Sequence, residues 1–94
     1  EDHHKLVPGN GVYVVEIKLD KRTLKGMMNI GMRPTVGGTK RVIEVHIFDF
    51  NEEIYHKTIR ITLIKWLRPE QKFNGLDELK VQLAKDEALA RKWD

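Results

Sequence analysis

The residues of this chain with the most chemical potential lie in three short stretches. The first is Glu44-Val45-His46-Ile47, in which Glu44 alternates with Ile43, Val45 and Ile47. On an extended strand this alternation turns its carboxylate away from the apolar groups, towards whatever Phe48 lines. A carboxylate in such a half-apolar setting can take a proton from a primary hydroxyl. The same pattern equally describes a surface or salt-bridged glutamate. His46 shares the face of Glu44 two residues on, and reads as a structural histidine with a hydrogen-bonded ring that could hold Glu44 in position. The second stretch, Asn29 to Gly38, carries Gly31, Gly37 and Gly38. Its backbone amides could approach a ligand, or it could be a plain connection. The third is Arg68-Pro69-Glu70 followed by Phe73, with an aromatic and edge charges for a planar ligand, or else a turn with solvated charges.

These stretches need a scaffold, and the hydrophobic pattern supplies one of strands followed by a helix. Tyr13, Val15, Ile17 and Leu19 fall on one face and Glu16 and Lys18 on the other, which predicts a half-buried strand over Val12–Leu19. Asp20-Lys21-Arg22 turns the chain into a second strand, Thr23–Ile30, to form a hairpin. Gly31–Lys40 reads as a long loop because of its glycines and Pro34. A third strand, Val42–Phe50, and a fourth, Ile54–Trp66, are expected to form a second hairpin through Asn51-Glu52-Glu53. Asn74 is placed to cap a helix beginning near Gly75, with Leu76, Leu79, Leu83 and Ala90 on one face, Asp77 in its first turn and Arg91 and Lys92 in its last. Two hairpins and a helix leave open sheet edges, which implies further strands.

Composition narrows the functional classes. With 94 residues, 40% hydrophobic and 33% charged, the chain is one globular domain at most. Its net charge of +3 is small and dispersed, so a nucleic-acid groove is not expected. There is no cysteine, which removes disulfides and thiolate metal sites and points to a cytoplasmic location. No apolar run approaches the roughly 20 residues of a membrane span, and no secretory signal is visible. His3 and His4 lack a third ligand and are read as a flexible end, so no residue is assigned to a metal.

In order and spacing, Gly11-Val12-Tyr13, Asn29-Ile30-Gly31-Met32-Arg33-Pro34-Thr35, Glu44-Val45-His46-Ile47 and Leu67-Arg68-Pro69-Glu70-Gln71-Lys72-Phe73 resemble the riboflavin kinase module of bacterial bifunctional FAD synthetases. The resemblance runs from about Leu6 to the C-terminus. It implies an antiparallel Greek-key β-barrel of six strands with a C-terminal α-helix outside, of which about four strands are visible and the first lies upstream. It implies ATP-dependent phosphorylation of riboflavin to FMN, in a chain normally fused to an FMN adenylyltransferase. By that resemblance Glu44 is the base for the ribityl 5′-hydroxyl. Arg68, Glu70 and Phe73 belong to the flavin pocket, and Asp49 and Tyr55 lie near the nucleotide. Magnesium would be held upstream, since Pro34-Thr35-Val36-Gly37 is not the family's Pro-Thr-Ala-Asn motif. Residues 1–94 are therefore expected to be a riboflavin kinase domain lacking its Gly-rich phosphate loop and magnesium-binding segment, inactive alone. One departure is His56, which follows Tyr55 where the family usually has glycine. The alternatives are a small basic β-barrel that binds nucleic acid, and an inactive flavin-binding fragment.

Overall fold

A computed structural model describes residues 9–93, so His3 and His4 lie outside the described residues. Four strands and one helix follow in chain order: β1 Gly11–Leu19, β2 Arg22–Thr35, β3 Gly38–Ile47, β4 Ile59–Arg68 and α1 Leu76–Ala90. The expected class, antiparallel β with a C-terminal helix, is what the structure has. The strands form one sheet in the order β3-β2-β1-β4, open among the described residues, with β3 and β4 as its edges.

The most apolar strand takes the centre. β1 pairs with β2 from Gly11↔Ile30 to Leu19↔Arg22, and on its other side with β4 from Val12↔Arg68 to Leu19↔Ile59. It is buried on both faces rather than one, because Val12-Tyr13-Val14-Val15 is a continuous apolar run that serves two cores. Tyr13, Val15 and Ile17 pack with Met28 and Ile30 on one face, while Val12 and Val14 pack with Met27, Phe48 and Ala90 on the other.

Three expectations about the strands change. Gly31–Lys40 is not a loop: β2 and β3 stay paired from Gly26↔Ile47 out to Thr35↔Gly38, with Gly37 at φ 90° in the turn between them. A glycine tolerates that backbone at no steric cost. Pro34 lies past the end of β1, where β2 has a neighbour on one side only, so its missing donor is harmless. The second difference is the partner of β4. β3 and β4 form no hairpin, since β4 crosses to the far edge and pairs with β1. A run of turn residues shows that a chain reverses, not which strand it then joins. The crossing segment is tied down beside the β1–β2 turn by Arg22 on Glu52 at 2.7 Å, by the Arg22 guanidinium 5.7 Å from the Phe50 ring centre, and by Lys57 on Asp20 at 2.9 Å. The third is one of boundaries, with β3 beginning and ending earlier than expected and β4 beginning later.

The helix also differs in what it buries. Gly75, not Asn74, is the N-cap, and the Asn74 N–H instead donates to Glu78 Oε1 at 3.2 Å. Leu76 and Leu83 remain largely exposed, and the buried residues of α1 are Asp86 and Ala90. Arg91 and Lys92 follow the last helical residue, with Arg91 at the C-cap. The helix thus meets the sheet through Ala90 and a charged pair with β4 rather than through Leu76.

Candidate active site

Between the sheet and α1 lie two cavities with a common wall. One, of about 620 Å³, is lined by Arg68, Glu70 and Phe73 together with Asn29 and Arg33. The other, of about 430 Å³, is lined by Glu44, His46, Val12 and Met27, again with Asn29 and Arg33. Leu79 and Leu83 of the helix border both. The three stretches picked out by residue type thus converge on one groove.

Strand alternation sets the order of groups along it. Asn29, Gly31 and Arg33 point from β2 to the same face, and Glu44 on β3 is directly opposite Asn29. Arg33 bridges two carboxylates: Nη2 donates to Glu44 Oε1 at 2.9 Å and Nη1 to Glu70 Oε2 at 3.0 Å. The Met32 backbone N–H also donates to Glu70 Oε2, at 3.1 Å. Gly31 makes this possible, because a Cβ there would overlap the Glu70 carboxylate and press on Arg33 Nη1. Its glycine is required by close approach rather than by an unusual φ. The Glu44 side chain is 60% exposed, open to the groove and to solvent. Asn29 Oδ1 is buried with no hydrogen-bond partner among the described residues, an acceptor facing both cavities.

Arg68 is more than a cavity wall. Its Nε donates to Asp86 Oδ1 at 2.9 Å and its Nη2 to Asp86 Oδ2 at 2.7 Å, with Gln82 Nε2 on Oδ1 at 3.0 Å. The Asp86 side chain is 1% exposed and that of Arg68 is 17% exposed. Phe73 is half-buried at the cavity edge.

Asp49 and Tyr55 line neither cavity. Asp49 accepts from Arg91 Nη1 and Nη2 at 3.0 and 3.2 Å, and these bonds, with the guanidinium charge, hold its carboxyl below the ordinary range. Tyr55 is 80% exposed. The Arg91 guanidinium is 4.7 Å from the Phe48 ring centre, and Phe48 meets His46 edge-on at 5.5 Å. His46 Nε2 lies 4.0 Å from Glu87 Oε1. His56, which follows Tyr55, has φ 66°.

Two of the groove's side chains are unassigned in the sequence: Arg33 because Gly31–Lys40 reads as a loop, which carries no facing information, and Asn29 because strand alternation over Thr23–Ile30 does not show that its face lines a groove. Asp86 left a signal: it falls three residues after Leu83 and four before Ala90, a charge on the apolar stripe of the helix.

Comparison with known proteins gives the family. A family model for riboflavin kinase (flavokinase) matches residues 1–94. The chain belongs to the riboflavin kinase family. The bifunctional riboflavin kinase/FMN adenylyltransferase of Escherichia coli K12 is 46% identical over 87 residues, covering 92% of this chain and 28% of the relative. The protein of the same name in Bacillus subtilis is 41% identical over 88 residues, covering 90% and 28%. A crystal structure of a macrolide-efflux protein from Streptococcus pneumoniae superposes with a TM-score of 0.82 at 36% identity, over 93% of this chain and 29% of that one. This riboflavin kinase family chain therefore spans less than a third of the length of the relatives it matches.

Proposed function

We propose that this chain is the kinase module of a longer enzyme that transfers the γ-phosphoryl group of ATP to riboflavin, giving FMN and ADP. The observation that carries the reading is the placement of the Glu44 carboxylate on the wall of a groove whose neighbouring cavity, about 620 Å³, falls within the size range of small-molecule sites. Family membership supplies the reaction. In this reading the isoalloxazine ring occupies the larger cavity beside Phe73, with Arg68 and Glu70 at its edge, and the ribityl chain runs past Asn29 to Glu44. Asn29 Oδ1 gains a donor from a ribityl hydroxyl. Glu44 accepts the proton of the 5′-hydroxyl as its oxygen attacks the γ-phosphorus and ADP departs. Positioning supplies much of the acceleration in such a transfer, and the base adds about 10²- to 10⁴-fold.

Asp49 and Tyr55 are assigned to the nucleotide side of the same reading. Among the described residues no group of three or more His, Cys, Asp or Glu comes together. The Gly-rich loop and the Pro-Thr-Ala-Asn segment that would serve the ATP phosphates and magnesium are not among the 94 residues. They are assigned to preceding sequence in the natural polypeptide, together with an FMN adenylyltransferase. That assignment is supported by the 28% share of the Escherichia coli relative that this chain covers. No described helix is long and apolar enough to cross a membrane, and a cytoplasmic location is the setting in which riboflavin and ATP would meet the enzyme.

The test is Glu44→Gln in the full-length natural polypeptide. Its kcat is expected to fall about 10²- to 10⁴-fold while riboflavin affinity, read by flavin fluorescence quenching, stays near the parent value. A kcat within about threefold of the parent would remove Glu44 from the role of base.

A further inference from the structure

We infer that Arg33 is a positioning residue for the phosphoryl-transfer step, acting through Glu44; this rests on the function proposed above and extends it to a residue outside the predicted site. Arg33 is gripped on one side and directed on the other. Its Nη1 donates both to Glu70 Oε2 at 3.0 Å and to its neighbour's carbonyl, Met32 O, at 3.0 Å. Glu70 is itself held by the Met32 N–H, in space that Gly31 leaves open. With Nη1 anchored, the planar guanidinium leaves Nη2 directed at Glu44 Oε1, 2.9 Å away. A glutamate side chain on an edge strand, 60% exposed, otherwise has several rotamers open to it. The bond to Arg33 selects those that keep the carboxylate over the groove. The same clamp joins the base to Glu70 at the mouth of the larger cavity, so the two ends of the groove share one guanidinium. A misplacement of about 1 Å in such a group can cost on the order of 10²-fold in rate. Neutralising one Glu70 charge and one Glu44 charge is a task a surface cation could also do; holding both at fixed angles needs the two-pronged fork of arginine.

A double-mutant cycle in the full-length natural polypeptide tests this, with Arg33→Ala, Glu44→Gln and the combined variant assayed for kcat and for riboflavin Kd. Arg33→Ala is expected to lower kcat about 10- to 10²-fold, by a larger factor than it raises riboflavin Kd, and to add less than about threefold to the kcat loss already caused by Glu44→Gln. Guanidinium ion added to the assay is expected to restore part of the Arg33→Ala activity and none of that of Glu44→Gln. Arg33→Lys should recover less than the parent because it cannot hold both carboxylates. Multiplicative losses in the double variant, or a parent-like kcat in Arg33→Ala beside a damaged Glu44→Gln, would overturn the inference alone. A parent-like Glu44→Gln would overturn the base assignment and this inference with it. Should Arg33→Ala fail to fold, Arg33→Gln, which keeps side-chain length, carries the same cycle.

Discussion

The Arg68 guanidinium and the Asp86 carboxylate face each other fork to fork, Nε on Oδ1 at 2.9 Å and Nη2 on Oδ2 at 2.7 Å, and so join the end of β4 to α1. Because Arg68 also lines the larger cavity, a residue of the proposed flavin wall also ties the helix to β4. Removing one partner of a buried pair strands the other charge, which costs about 3–5 kcal/mol. Asp86→Ala is therefore expected to lower stability by about that amount in urea unfolding. A loss below about 1 kcal/mol would mean that α1 docks by its apolar residues instead. Arg68→Ala should show both losses, in stability and in riboflavin affinity.

Phe73→Ala separates the proposed flavin wall from the fold. If the ring stacks on bound flavin, its removal weakens riboflavin binding by about 1–3 kcal/mol in a quenching titration while the melting temperature moves little. A fall in melting temperature with unchanged affinity would assign Phe73 to the start of the helix instead.

Gly31→Ala should disturb the site without disturbing the strand. Alanine is acceptable to a strand backbone, but its Cβ would displace the Glu70 carboxylate and Arg33. The expected outcome is a folded variant, by circular dichroism, whose kcat falls. Full activity would show that the Arg33–Glu70 contact is dispensable.

His56 occupies a turn closed by the Lys57 N–H on Ile54 O at 3.2 Å, with φ 66° in the left-handed region. An L-residue pays about 1–2 kcal/mol there, and glycine pays none. His56→Gly should raise stability by about 1 kcal/mol, the remainder being offset by the looser unfolded chain. Unchanged or lower stability would point to an uncounted interaction of the imidazole. The backbone at this position has a conformation that glycine favours and a histidine holds at a cost in strain.

The acid limb of stability should depend on two exposed pairs. Hydrogen bonding and charge from Arg91 hold the Asp49 carboxyl below its ordinary value, and a hydrogen bond from Arg22, with its charge, does the same for Glu52. A depressed folded-state value stabilises the fold above the unfolded-state pKa and ceases to do so as pH falls through the folded-state value. The contribution is thus present at neutral pH and disappears on acidification, below about pH 4. The Asp49→Asn/Glu52→Gln double variant should melt lower than the parent at neutral pH, and the two melting curves should converge in acid. A constant difference across that range would exclude these pairs as the source.

Residue order alone determined which face of each strand a side chain occupies. The alternation of Ile43, Val45 and Ile47 against Glu44, His46 and Phe48 was sufficient for that, because a pleated strand has a strict period of two. The motif order also sufficed to reach the family. Strand partners were not legible, since the alternation in Ile59 and Ile61 is satisfied equally beside β3 or beside β1. Only the tertiary structure pairs β4 with β1, which leaves the apolar β1 in the middle of the sheet with both of its hydrogen-bonding edges occupied. The Arg33 bridge was hidden for a related reason. Glu44 and Glu70 are 26 residues apart in sequence, and their shared guanidinium depends on the register of β2 with β3, on the end of β4 returning alongside Gly31, and on the space a missing Cβ leaves there. Local propensity sets none of these; they are decided when the sheet packs on its two cores.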